Sequence, residues 1–219
     1  MKIKNHLLLS MLLMASACGK KESASAAKSY FKMAFAELSQ DGHDRNTQQR
    51  ALSYVNQALA LNPRPEYHAF KGTVLFKLGD LVHGKESFQA ALHQNPAEQL
   101  RGEIMNNYAC LLAQEGEGKR AIAIWQSLLH DTAYQTPEVA LVNLGKLHMQ
   151  QGDALQAQAV FQQAVHCAPS YVDAHFYLAM AAQRCKEYAL ARHELTTVLY
   201  LEPMHLDAQA MMRTLSIDL

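Results

Sequence analysis

Residues 145–169 read GKLHMQQGDALQAQAVFQQAVHCAP. The fixed points of this stretch are Gly145, the pair Gly152–Asp153, Ala157, Phe161, Ala164 and Pro169. An earlier stretch carries Gly72, Gly79–Asp80, Phe88, Ala91 and Pro96 at the same offsets: seven residues from Gly to Gly, nine to Phe, three to Ala and five to Pro. A pattern recurring about every 34 residues marks a helical solenoid. Such solenoids work as a rule by presenting an extended binding surface.

Each fixed position has a physical task. A small residue at Gly72 or Gly145 lets two antiparallel helices approach closely. The Gly-Asp pair stops one helix on a left-handed residue and caps the next. Ala157, Phe161 and Ala164 fall on one helical face at i, i+4 and i+7, the spacing of a buried stripe. Proline cannot continue a helix and marks the end of the unit.

Outward from these copies, the chain from Tyr30 divides into five helix pairs at about 30–64, 65–98, 102–136, 138–171 and 172–205. A last helix from Leu206 to Leu215, within residues 206–219, covers the end of the stack. The first pair carries an insertion at Gln40–Asn46. The second has Gly84 where alanine is usual. The third has Ala109 for the small glycine, Trp125 for phenylalanine and a delayed Pro137. The fourth, at 138–171, is complete, and the fifth has Lys186 in place of the turn glycine. The expected fold is all-α.

These residues resemble the tetratricopeptide repeat over about residues 30–205. The resemblance implies a right-handed superhelical solenoid whose concave groove is lined by the first helix of each pair, and binding of extended or helical protein segments. The family's groove positions fall on Ala69, Thr73 and Phe76 in the second repeat, and on Asn106, Cys110 and Gln114 in the third. They fall on Val142, Lys146 and Met149 in the fourth, and on Phe176, Met180 and Gln183 in the fifth. One charge among twelve residues suits a segment held by apolar contacts and amide hydrogen bonds. Asn106, Asn107 and Asn143 are amides beside this groove. An amide can bond a ligand backbone with both its donor and its acceptor, or it can tie down a neighbouring helix.

The N-terminus reads as a processing signal over residues 1–17: Lys2 and Lys4, the apolar run from Leu7 to Met14, then Ala15-Ser16-Ala17. The run falls short of the roughly 20 residues that span a bilayer. Cys18 follows at once, and the small-small-Cys sequence resembles the bacterial lipobox, with Ala15 where that family prefers leucine. The resemblance implies acylation of Cys18, and Gly19 after it implies sorting to the outer membrane. Two or more acyl chains anchor a protein stably. Residues 18–29 are small and polar and read as a tether, spanning at most about 40 Å beyond the cysteine.

Lys+Arg and Asp+Glu are both 20, and removing Lys2 and Lys4 with the signal leaves 18 basic groups against 20 acidic. That balance gives no electrostatic footing for nucleic acid. No Gly-rich phosphate loop, H-E-x-x-H or C-x-x-C motif is present, so the reading is of no enzyme, no metal and no cofactor. His193–Glu194 lacks a second histidine. Cys110, Cys167 and Cys185 read as small buried residues, with Cys167 and Cys185 a helix length apart and beyond the roughly 7 Å reach of a disulfide. Met204, Met211 and Met212 read as packing of the terminal helix.

A closer resemblance lies in Asn106-Asn107-Tyr108, in Glu138-Val139-Ala140-Leu141-Val142-Asn143-Leu144-Gly145 and in Tyr188-Ala189-Leu190-Ala191-Arg192. These are similar to the tetratricopeptide pilotins of type IV pili, although that family's usual glycine is Ala109 here. The resemblance implies an outer-membrane lipoprotein facing the periplasm that binds the secretin subunit and promotes its assembly. An adaptor lipoprotein for cell-wall hydrolases or for outer-membrane protein assembly would share the same fold and anchor.

Overall fold

The computed structural model describes residues 22–39 and 44–215. The signal region, Cys18 and Gly19 lie outside the described residues. Eleven α-helices and no strand are found among those described. They are α1 (22–39), α2 (Arg45–Leu61), α3 (Pro65–Leu78), α4 (Leu81–His93), α5 (Glu98–Gln114), α6 (Gly118–Leu129), α7 (Pro137–Gln150), α8 (Ala154–Cys167), α9 (Val172–Arg184), α10 (Tyr188–Leu201) and α11 (Leu206–Leu215). Helices pack against their neighbours in chain order: α3 on α4, α7 on α8 and α9 on α10, with α8 also on α9 and α10 on α11. This all-helical, consecutive pairing is consistent with the helix-pair repeat expected from the sequence.

Two boundaries differ from expectation. Residues 22–29, expected as tether, are helical. Ala27 is fully buried there and the Ser23 hydroxyl donates to the Leu61 carbonyl at 2.8 Å. Small residues that read as linker composition are here the close-packing face of a helix. The third pair starts earlier than 102, because α5 runs from Glu98. The chain divides into two compact units, Met1–Ile104 and Met105–Leu219.

In the first unit Ala27, Ala34, Val55, Ala58 and Tyr67 make a core, with Phe31 stacked on Tyr67 at 4.5 Å between ring centres. Asp44 caps α2 by accepting from the Thr47 backbone N–H at 2.9 Å. Gly79 ends α3 at φ 83°, and Asp80 then caps α4 through the His83 N–H at 3.2 Å. Gly72 lies under Phe88: a Cβ there would sit 2.8 Å from the ring.

The second unit repeats these devices. A Cβ on Gly145 would overlap the Phe161 ring, so the expected close approach is present. Phe161 and Trp125 are almost wholly buried, each contributing about 1.5–3 kcal/mol by burial. Asp153 caps α8 by accepting from the Gln156 N–H at 3.0 Å. The fifth pair lacks the turn glycine, yet Lys186 takes the same left-handed conformation at φ 63°. Neighbouring contacts dictate that backbone shape, and the sequence supplies a residue poorly suited to it.

The terminal helix α11 buries Ala208 and Leu215 against Ala179, Ala182, Ala191, Leu195 and Val198. Met211 and Met212 pack beside that cluster, but Met204 is 81% exposed and takes no part in the packing expected of it. A buried ion-pair geometry joins α9 to α10: His175 Nδ1 lies 2.6 Å from Glu194 Oε2. His175 Nε2 donates to the Pro169 carbonyl, 2.9 Å away. The three cysteines are free thiols. Cys110 and Cys185 are half-buried, whereas Cys167, expected inside, is exposed because it is the last residue of α8.

Candidate functional site

The first helices of the pairs in the second unit are α5, α7 and α9. On α5, Asn106, Cys110 and Gln114 recur every four residues and so fall on one stripe. Val142, Lys146 and Met149 fall on one stripe of α7 at steps of four and three, and Met180 and Gln183 on one stripe of α9 at a step of three.

Asn106 is buried, 7% exposed, and its side-chain oxygen is doubly used. It accepts from the Trp125 indole N–H at 3.0 Å and from the Asn143 side-chain nitrogen at 3.0 Å. A buried indole needs such a partner. The amide-rich opening of the third pair is thus bound to Trp125 in the phenylalanine position. The Asn106 oxygen ties helices together and is not left for a ligand backbone. Asn107 is half-buried and Gln114 is exposed. Val142, 2% exposed, and Met149, 8% exposed, are mostly core.

Lys146 is half-buried, with its ammonium 4.1 Å from the centre of the Tyr177 ring. A cation over an aromatic face is held electrostatically and keeps a defined position. Beside it, burial pushes the Cys110 thiol up to about 11 against the opposing pull of the Lys146 charge. At neutral pH Cys110 is therefore a protonated thiol with little nucleophilic character.

Lys146 and Met149 of α7 meet Met180 of α9 around a pocket of about 240 Å³. Gln150, Tyr177 and Arg184 complete its lining. Arg184 is anchored by donating from Nη1 to the Met149 carbonyl at 3.2 Å. Sequence reasoning missed Tyr177 and Arg184, although both lie on the Met180 face, three residues before it and four after it. Phe176 does not line the pocket: its ring lies 4.8 Å from that of His205, packs with the terminal cluster and meets the Tyr177 ring edge-on at 5.6 Å. Gln183 is half-buried.

In the first unit Thr73 returns its hydroxyl to the Ala69 carbonyl at 3.2 Å, satisfying itself within α3. A larger hollow of about 720 Å³ lies among the end of α6, the start of α7 and α8. Leu129, Pro137, Leu141 and Ala159 give it an apolar floor, with Gln162, Gln163, His166 and Cys167 around it. It holds no Lys, Arg, Asp or Glu, whereas the groove pocket combines two cations with soft apolar walls. Among the described residues no three His, Cys, Asp or Glu side chains converge as a metal site. No described helix is long and apolar enough to cross a membrane.

Residues 142–203 match the tetratricopeptide repeat family. No curated protein matches the chain. Solved structures with the same fold include the Pseudomonas aeruginosa protein pilF, at 17% identity over 90% of both chains with a TM-score of 0.69. PilW, a widely conserved type IV pilus biogenesis factor, is similar at 20% identity with a TM-score of 0.70, over 83% of this chain and 80% of its own. YrrB, a tetratricopeptide protein with an unusual peptide-binding site, is similar at 19% identity and a TM-score of 0.54, over 84% of this chain and 90% of its own.

Proposed function

We propose that this protein is an outer-membrane lipoprotein of type IV pilus biogenesis, held by acylated Cys18, that binds the secretin subunit and promotes its localisation and assembly. The observation that carries the reading is the likeness to PilW, a type IV pilus biogenesis factor, over most of both chains. The lipobox-like Ala15-Ser16-Ala17-Cys18 supports the anchor. The α5–α7–α9 face of the second unit is the surface offered to the partner, with Lys146, Met149 and Met180 as its central contacts. The work is holding and delivery, which needs no catalytic group.

The test is deletion of the gene followed by assay of heat-stable secretin multimers in the outer membrane. Multimers fall sharply and return with the wild-type gene but not with Cys18→Ala, which moves the protein out of the membrane fraction. Multimers unchanged in amount and location would sink the reading.

A further inference from the structure

Lys146 and Arg184 share a small pocket that contains no carboxylate. Among the described residues neither makes an ion pair, although other cations do, such as Arg50 with Glu37 and Arg64 with Glu66. The chain as a whole is balanced in charge, so a pocket lined by two cations and no acid is a local excess of positive charge. Both are held in place. Tyr177 carries the Lys146 ammonium at 4.1 Å, and the Met149 carbonyl takes one Arg184 N–H at 3.2 Å. A guanidinium has five N–H donors, so Arg184 keeps donors beyond the one in use. The other walls are Met149 and Met180, flexible thioethers that adapt to apolar groups of varied shape.

We infer that this pocket is an acid-reading subsite: Lys146 and Arg184 receive the carboxylate of an internal Asp or Glu in a partner segment, and the apolar residue beside that acid packs on Met149 and Met180. The inference rests on the reading of the α5–α7–α9 face as a partner groove. A volume of about 240 Å³ fits one or two side chains and not a length of backbone. Lys146 is half-buried and Arg184 exposed, so the carboxylate meets both at the rim of the pocket and forms charge-assisted hydrogen bonds, the stronger kind. The aromatic ring beneath Lys146 favours one position of the ammonium, which lessens the ordering the partner must impose.

The test is selection of a randomised 12-residue peptide library, displayed through its C-terminus, on the full chain in detergent. Binding of the selected peptides is then measured by fluorescence polarisation. Selected peptides carry an Asp or Glu next to an apolar residue. Replacing that acid by its amide weakens binding about tenfold, the scale of one charge-assisted hydrogen bond. Lys146→Met, which keeps the apolar stem over Tyr177, and Arg184→Gln each weaken it similarly, with unchanged thermal melting. In either variant the acid-to-amide change then costs less. Peptides that bind and are lost on Gln114→Arg, a groove position outside the pocket, but show no acid preference would overturn the subsite and leave the groove standing. Peptides insensitive to every groove substitution, or no peptides at all, would overturn the groove and the subsite together. A requirement for a free C-terminal carboxylate, seen as tighter binding of unblocked than amidated synthetic peptides, would overturn the internal acid.

Discussion

Asn143 donates its side-chain nitrogen to Asn106 Oδ1 at 3.0 Å, joining the first helices of two successive pairs by a single buried acceptor. The same oxygen serves the Trp125 indole. Asn106→Leu therefore strands two donors at once. Each buried unpaired donor costs about 1–3 kcal/mol, so the variant loses more stability than Asn143→Ala, which leaves the indole satisfied. Urea unfolding of both variants checks the order.

Gly145 admits no side chain beneath Phe161. Gly145→Ala forces the ring or the helix to move, at about 1–3 kcal/mol for overpacking. Phe161→Leu in the same chain frees space and recovers part of the loss. Thermal melts of the single and double variants measure the coupling.

Lys186 holds a left-handed backbone where the other pairs have Gly79, Gly116 and Gly152. Lys186→Gly relieves a strain of about 1–2 kcal/mol, offset in part by the freer unfolded chain. A net gain of about 0.5–1 kcal/mol is expected in denaturant melts. A loss would mean that the lysine side chain supplies more than its conformation costs.

His175 and Glu194 lie buried together. His175→Leu alone leaves an uncompensated carboxylate inside and costs about 3–5 kcal/mol. Adding Glu194→Leu returns most of that stability, because an apolar pair of similar volume can replace a buried ion pair. A double variant as unstable as the single one contradicts this account.

Hydrogen bonds from Thr47, first from its backbone N–H, hold the Asp44 carboxyl below its ordinary 3.8. A folded-state pKa below the unfolded one adds stability above the unfolded value and loses it as pH falls through the folded value. Wild type therefore exceeds Asp44→Asn in stability at pH 7, and the gap closes below pH 3.8. Melts of the two proteins at both ends of that range decide it.

The helix pairs were legible because glycine, phenylalanine and proline act locally: Gly152 and Pro169 mark ends whatever surrounds them. The pocket was legible in part. Lys146, Met149 and Met180 follow from helical spacing on two helices. Arg184 was hidden because a residue at a helix end reads as a charge at the dipole's negative pole. Its bond to the Met149 carbonyl spans 35 residues of sequence. Asn106 was ambiguous because an amide looks the same whether its partner is a ligand or an indole on the next helix. Residues 22–29 were misread because alanine and serine compose both linkers and close-packed helix faces, and only Ala27 beneath its neighbours separates the two.

The early start of α1 changes the scale of any attachment at Cys18. At most residues 19–21 lie between that cysteine and helical backbone, a reach of no more than roughly 10 Å, about a quarter of what a tether to residue 29 allows. Under the proposed acylation of Cys18, a protein leashed so closely would not sweep the periplasm for its partner. Its search would be lateral, over two dimensions, and the partner would meet it at the height of the lipid headgroups.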